Sequence, residues 1–173
     1  MKTIVLYSTR TGNTKKIAEA IASAVPGAPC VNVKDAPADL GSYDLAFVGF
    51  WVDKGDADAE AKKVLQSLTN KYVGVFATLG AMPDSDHAKE CLKKGAAHVP
   101  AGSEVVGSFI CQGAVDPKLI EMMYKMFPAG HPHGRTPERE ALHKEAAKHP
   151  DEQDCANAKA FAEDVLKKIA AKA

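Results

Sequence analysis

Net charge is the first thing this chain lacks. Over 173 residues, 22 Lys and Arg offset 22 Asp and Glu, so the formal charge is zero. Proteins that hold nucleic acid or an anionic membrane by charge carry a basic surplus, so neither class of partner is expected. Cysteine is sparse. Cys30, Cys91, Cys111 and Cys155 lie far apart with no Cys-x-x-Cys pair. That removes the usual spacing of a dithiol centre or thiolate cluster and leaves four separate thiols, mostly buried as small hydrophobes. No apolar run nears the roughly 20 residues of a membrane-spanning helix. Met1-Lys2-Thr3 leads straight into a strand pattern, with no charged segment followed by an apolar one. A cytoplasmic protein is the expectation. Two catalytic patterns are also missing: Gly-x-x-x-x-Gly-Lys-Ser/Thr and Gly-x-Ser-x-Gly. His131-x-His133, with His143 and His149 beyond, matches no zinc spacing, and no metal is expected.

What is present is an alternation of short apolar runs with amphipathic ones. Strands are expected over 3–7, 30–33, 44–50, 72–77 and 104–111. Helices are expected over 13–24, 57–68, 84–94 and 151–170. The strands read as near-continuous hydrophobic runs, such as Leu45-Ala46-Phe47-Val48. A parallel sheet covered on both faces demands that pattern. Right-handed crossovers then leave few topologies, led by strand order 2-1-3-4-5, with ligand expected at the carboxyl ends of the strands. The chain is read as a single domain, 1–173, with an insert at about 117–150. The insert is expected as two helices around Phe127 to Gly134, a stretch rich in Pro, Gly and His, with Thr136 capping the second helix and Pro137 in its first position.

The most informative stretch is Ser8-Thr9-Arg10-Thr11-Gly12-Asn13-Thr14, between the first strand and the first helix. Such a turn aims backbone N–H groups and hydroxyls at one point, at the positive end of a helix, and suits a phosphate. Gly12 lets the backbone come close, and Asn13 can cap the helix. With no lysine in the turn, a metal-bound triphosphate is not the natural ligand. A cofactor phosphate is.

Thr9-Arg10-Thr11-Gly12-Asn13-Thr14 resembles the Ser/Thr-x-Thr-Gly-Asn-Thr loop by which flavodoxins hold the phosphate of FMN. The resemblance implies an α/β, flavodoxin-like, doubly wound five-stranded parallel sheet, order 2-1-3-4-5, with helices on both faces. It covers about residues 2–112 and the last helix. The chain is also similar to the small flavodoxin-like proteins found alongside bilirubin reductase, through Phe50-Trp51-Val52-Asp53-Lys54-Gly55, Cys111-Gln112-Gly113 and the His-Pro-His stretch. By the resemblance, Trp51, the only Trp, is the residue that stacks on the inner face of the isoalloxazine, with Phe50 as the alternate. Thr78, Leu79 and Gly80 would meet the pyrimidine edge. Flavodoxins often place a Tyr on the outer flavin face; here His87 lies near that place instead. The implied function is an FMN-binding electron carrier serving partner redox proteins, a reductase and an acceptor enzyme. The alternative is an FMN-dependent NAD(P)H:acceptor reductase of the quinone-reductase kind. A binding module that has lost the flavin is disfavoured by the intact loop. The zero net charge departs from the strong acidity usual in flavodoxins, so long-range steering should matter less.

Overall fold

Residues buried on both sides can hydrogen-bond only to one another, and the apolar runs meet that need as parallel strands. A computed structural model describes residues 1–173. β1 (Thr3–Tyr7) is buried throughout. It pairs in parallel with β2 (Cys30–Asn32) on one side and β3 (Leu45–Asp53) on the other. β3 pairs with β5 (Tyr72–Leu79), which pairs with β6 (Glu104–Gln112), again in parallel. The path is β2-β1-β3-β5-β6. This is the expected 2-1-3-4-5 order, with one small strand added.

The addition is β4 (Asp56–Ala57), which folds back antiparallel on the end of β3. β3 runs past its expected end at Phe50, and Lys54-Gly55 forms the turn, with φ of 51° and 79°. Two consecutive positive φ values match the right-handed twist of a two-residue hairpin. The sequence reading makes 50–56 a loop because its apolar residues are followed at once by Asp53-Lys54-Gly55-Asp56, a polar run typical of a sheet rim.

Alternation along each strand splits the core into two layers. Val5, Phe47 and Phe76 face α1 (Asn13–Ser23) and α6 (Glu152–Ala170). Ile4, Leu6, Val48 and Phe50 face the side of α2 (Ala59–Ser67) and α3 (Asp86–Ala97). In α3 the absence of a side chain at Gly95 makes room for the Phe50 ring.

The insert forms α4 (Pro117–Met126) and α5 (Pro137–Ala146). Thr136 Oγ1 accepts from the Arg139 N–H at 3.1 Å, with Pro137 in the first turn, as expected. The junction after α5 is tied to the sheet's carboxyl edge. The Ala114 N–H donates to the His149 carbonyl at 3.0 Å, and Lys16 Nζ to the Pro150 carbonyl at 2.7 Å. The His149 ring bonds Asp154 at 2.6 Å and Glu145 at 3.3 Å. The Asp154 bond leads in raising the His149 pKa above its ordinary value. Its stabilising effect is therefore full at acid pH and is lost as pH rises through that raised value.

One buried carboxylate joins three elements. Asp58, 2% exposed, caps α2 by accepting from the Ala61 N–H at 3.3 Å. It also accepts from the Trp51 N–H at 3.2 Å and from the Ser8 hydroxyl at 2.5 Å. The end of β1, the end of β3 and the start of α2 are thus held by one side chain. Burial pushes the Asp58 pKa up, against the pull of its donors. Asp58→Ala should destabilise the fold by about 2–4 kcal/mol, because a cap is lost and buried donors are orphaned. The raised pKa fixes the sign of the pH effect: Asp58 contributes most below its unfolded value, and the contribution falls as pH rises through the folded value. Urea unfolding should show wild type gaining on Asp58→Asn as pH falls from 7 to about 4.5.

Candidate functional site

Between the end of β1 at Tyr7 and the start of α1 at Asn13 the chain makes a tight turn. Gly12 is the N-cap of α1, with φ 103°, a conformation that only glycine adopts easily. Its N–H donates to Thr9 Oγ1 at 2.9 Å, which closes the turn. The amides of Arg10, Thr11, Asn13, Thr14 and Lys15 find no protein acceptor. Five unsatisfied donors at a helix N-terminus form an anion cradle. Asn13, expected as a cap, does something else: its Nδ2 donates to the Ala114 carbonyl at 2.8 Å and ties the turn to the segment after β6. The buried Thr14 hydroxyl lies 2.9 Å from that of Thr78 and ties the turn to β5.

The ends of four strands meet around this cradle in a cavity of about 90 Å³. Thr9, Arg10, Thr11, Asn13 and Thr14 line it, with Trp51 from β3 and Thr78, Leu79 and Gly80 from the end of β5. Arg10 bridges the opening. Its Nε is 3.4 Å from Asp116, and its guanidinium carbon is 5.7 Å from the Trp51 ring centroid.

Three expected site residues do not line this cavity. Gly12 shapes the turn without lining the cavity. Phe50 is fully buried against Gly95 and does not line the cavity. Neighbours on a strand point to opposite faces, and Trp51 takes the cavity side. His87, in the first turn of α3, does not reach this cavity. It lines a neighbouring one of about 430 Å³. The two cavities share Val52, Leu79, Gly80 and Val115 as a common wall.

Gly113 to Asp116 and Leu119 also line the first cavity, and the sequence reading did not place them there. The available signal was position: they follow the last expected strand, at the same edge as the others. The buried Gln112 donates to the Gly80 carbonyl at 3.1 Å, and the Gly113 N–H to the Leu79 carbonyl at 2.8 Å. These bonds hold the β5 and β6 exits side by side.

Comparison with known proteins agrees with this architecture. A family model described as a flavodoxin domain matches residues 4–163. The chain is 34% identical over 170 residues to the flavodoxin-like domain-containing protein BilS of Clostridioides difficile (strain CD3), covering 96% of this chain and 97% of that one. Among solved structures, oxidised Flavodoxin 2 from Bacillus cereus superposes with a TM-score of 0.61 at 17% identity, over 97% of this chain and 99% of that one. A flavoprotein from Lactobacillus acidophilus NCFM, solved in complex with FMN, superposes with a TM-score of 0.51 at 20% identity, over 63% of this chain and 92% of that one. The match along nearly the whole chain, together with the sheet order and the Thr9–Thr14 turn, places the protein in the flavodoxin family.

Proposed function

We propose that the protein binds FMN at the carboxyl edge of its sheet and carries electrons between partner redox proteins in the cytoplasm. The observation that carries this reading is the set of unpaired amides between Arg10 and Lys15. They fit a phosphate monoester, and the Gly-x-x-x-x-Gly-Lys-Ser/Thr pattern that would favour a metal-bound triphosphate is absent. The donor chemistry therefore suits the cofactor. FMN, when bound, supplies the reversible one- and two-electron chemistry. The protein's own contribution is binding, orientation and exclusion of water. The amide cradle and the Thr11 hydroxyl hold the phosphate. Arg10 adds positive charge at the rim. Trp51 offers a flat, electron-rich ring for the isoalloxazine. The backbone of Leu79 and Gly80 offers polar groups for its pyrimidine edge. The balanced charge suits docking by short-range fit rather than long-range attraction. No helix is long and apolar enough to cross a membrane.

A second reading is favoured by the 430 Å³ cavity beside the first. Open space against a flavin is what an NAD(P)H:acceptor reductase needs for hydride delivery.

The Thr11→Val/Thr14→Val double variant should bind FMN at least about tenfold more weakly, since bonds to a charged group contribute about 1.5–3 kcal/mol each. Its affinity for riboflavin, which lacks the phosphate, should be unchanged. Fluorescence titration with both flavins checks this, and equal loss for both would discredit the phosphate assignment. Trp51→Ala should weaken oxidised FMN by about 0.5–1.5 kcal/mol and move the second reduction step to a less negative potential, because stacking disfavours the anionic hydroquinone. Dithionite titration at fixed pH reads this out. The FMN-loaded protein mixed with NADPH alone should keep its visible flavin band. Rapid bleaching without an added reductase would move the assignment to the enzyme.

A further inference from the structure

The second cavity has an unusual electrostatic character for a protein with no net charge. Its ionisable lining is Lys54, His87, His133, Arg139 and His143, with no Asp or Glu among the lining residues. Three of these five come from the α4–α5 segment: His133 from the connecting loop, Arg139 and His143 from α5.

Arg139 is the most telling of them. Its Nε is buried and has no hydrogen-bond partner. Its side chain makes no ion pair; neighbouring Glu140 pairs with Arg135 instead, at 3.1 Å. A buried guanidinium donor left unmatched costs free energy unless something outside the protein satisfies it. His143 is held in place by the Tyr124 hydroxyl, 2.9 Å from its Nδ1. Burial and the charge of Arg139 hold the His143 pKa below its ordinary value, so the permanent charge on this wall is that of Arg139. Lys54 sits at the exposed tip of the β3–β4 hairpin and makes no ion pair.

The first cavity, at about 90 Å³, is much smaller than the second, at about 430 Å³. The shared wall of Val52, Leu79, Gly80 and Val115 is where a larger ligand would continue. We propose that the α4–α5 segment, with the tip of the β3–β4 hairpin, gives the flavin a cationic roof, in which Arg139 and Lys54 favour the reduced, anionic form of the bound cofactor over the oxidised, neutral form. Full reduction adds two electrons and one proton to the ring system, so the hydroquinone anion carries one more negative charge than oxidised flavin. Cations on one wall stabilise that state selectively, and the effect is amplified where water is excluded. Arg139 acts here by position and charge, not as a group that transfers anything.

This inference rests on the FMN reading, and the test separates the two. Arg139→Gln and Lys54→Asn are each loaded with FMN; Asn is chosen at 54 because it tolerates φ > 0. Their two-electron midpoint potentials are measured against wild type by spectroelectrochemistry, and their affinities for oxidised FMN by fluorescence titration. Removing Arg139 should weaken reduced FMN about tenfold more than oxidised FMN, which lowers the midpoint by about 30 mV for a two-electron couple. Lys54→Asn should shift it in the same direction, and Arg139→Lys should restore most of the wild-type value. Unchanged midpoints in variants that bind FMN normally would overturn the cationic roof while leaving the cofactor assignment intact. Failure of wild type to bind FMN at all would overturn the cofactor assignment, and the roof with it. Because Arg139 has no protein partner to lose, Arg139→Gln is expected to fold. Should it not, Lys54→Asn alone decides the matter by the same criterion.

Discussion

Parallel register is the constraint from which the site follows. Tyr7 lies opposite Gly49, Trp51 opposite Thr78, and Leu79 opposite Gln112. Strands that run the same way, each buried on both faces, must end at the same edge and leave by loops or helices there. Four exits therefore crowd one line. The molecule does not leave them loose. Asp58 joins the first exit to the second through Ser8 and the Trp51 amide. Thr14 joins the first to the third through Thr78. Asn13 and Gln112 join the fourth to the first and third. Each of these side chains is polar and wholly or partly buried, and each is spent on a neighbouring exit. The donors left over, from Arg10 to Lys15, are the ones aimed at the cavity. A preorganised anion site arises when the protein satisfies everything except what the ligand will satisfy.

How much of this could be read from the sequence depended on the range of the interaction. Strand positions and order were legible because continuous apolar runs and right-handed crossovers are local or topological rules. The Thr9–Thr14 turn was legible because its chemistry sits in six consecutive residues. The Trp51 side of β3 was legible, but the Phe50 alternate was not excluded, since alternation along the strand could not be phased without knowing where β3 ended. The Lys54-Gly55 hairpin was missed for the same reason: it extends β3 past the last residue of the apolar run. Asp58 looked like one acidic residue among several. Its role depends on a hydroxyl 50 positions away, and no local pattern encodes that.

The insert shows the same limit more sharply. Two helices, the Thr136 cap and Pro137 at the start were all visible. Their destination was not. The bonds that set it run from Ala114 to His149 and from Lys16 to Pro150, between residues without any shared motif. Read along the chain, Arg135, Arg139, Lys144 and Lys148 alternate with Glu138, Glu140 and Glu145 as a mixed solvated face. In the fold the mixture separates. Glu140 pairs with Arg135, and Glu145 pairs with Lys148 and His149. What remains on the cavity side is positive.

That separation explains how a chain with zero net charge can still present a locally positive wall. Charge balance over the whole molecule governs long-range attraction, which falls off within about 10 Å in ordinary salt. The field inside a cavity depends on the few groups that line it and on the low polarisability of the walls. A protein that neither attracts nor repels its partners at a distance can therefore set its cofactor's affinity for electrons through two or three side chains. Placing one of them, Arg139, on a segment outside the sheet has a further consequence. The phosphate cradle is built into the sheet edge, where substitutions disturb the core. The roof rests on α5, none of whose residues but Ala146 is buried. On the proposed reading, electron affinity changes by substitution at Arg139 without loss of the cofactor or of the fold.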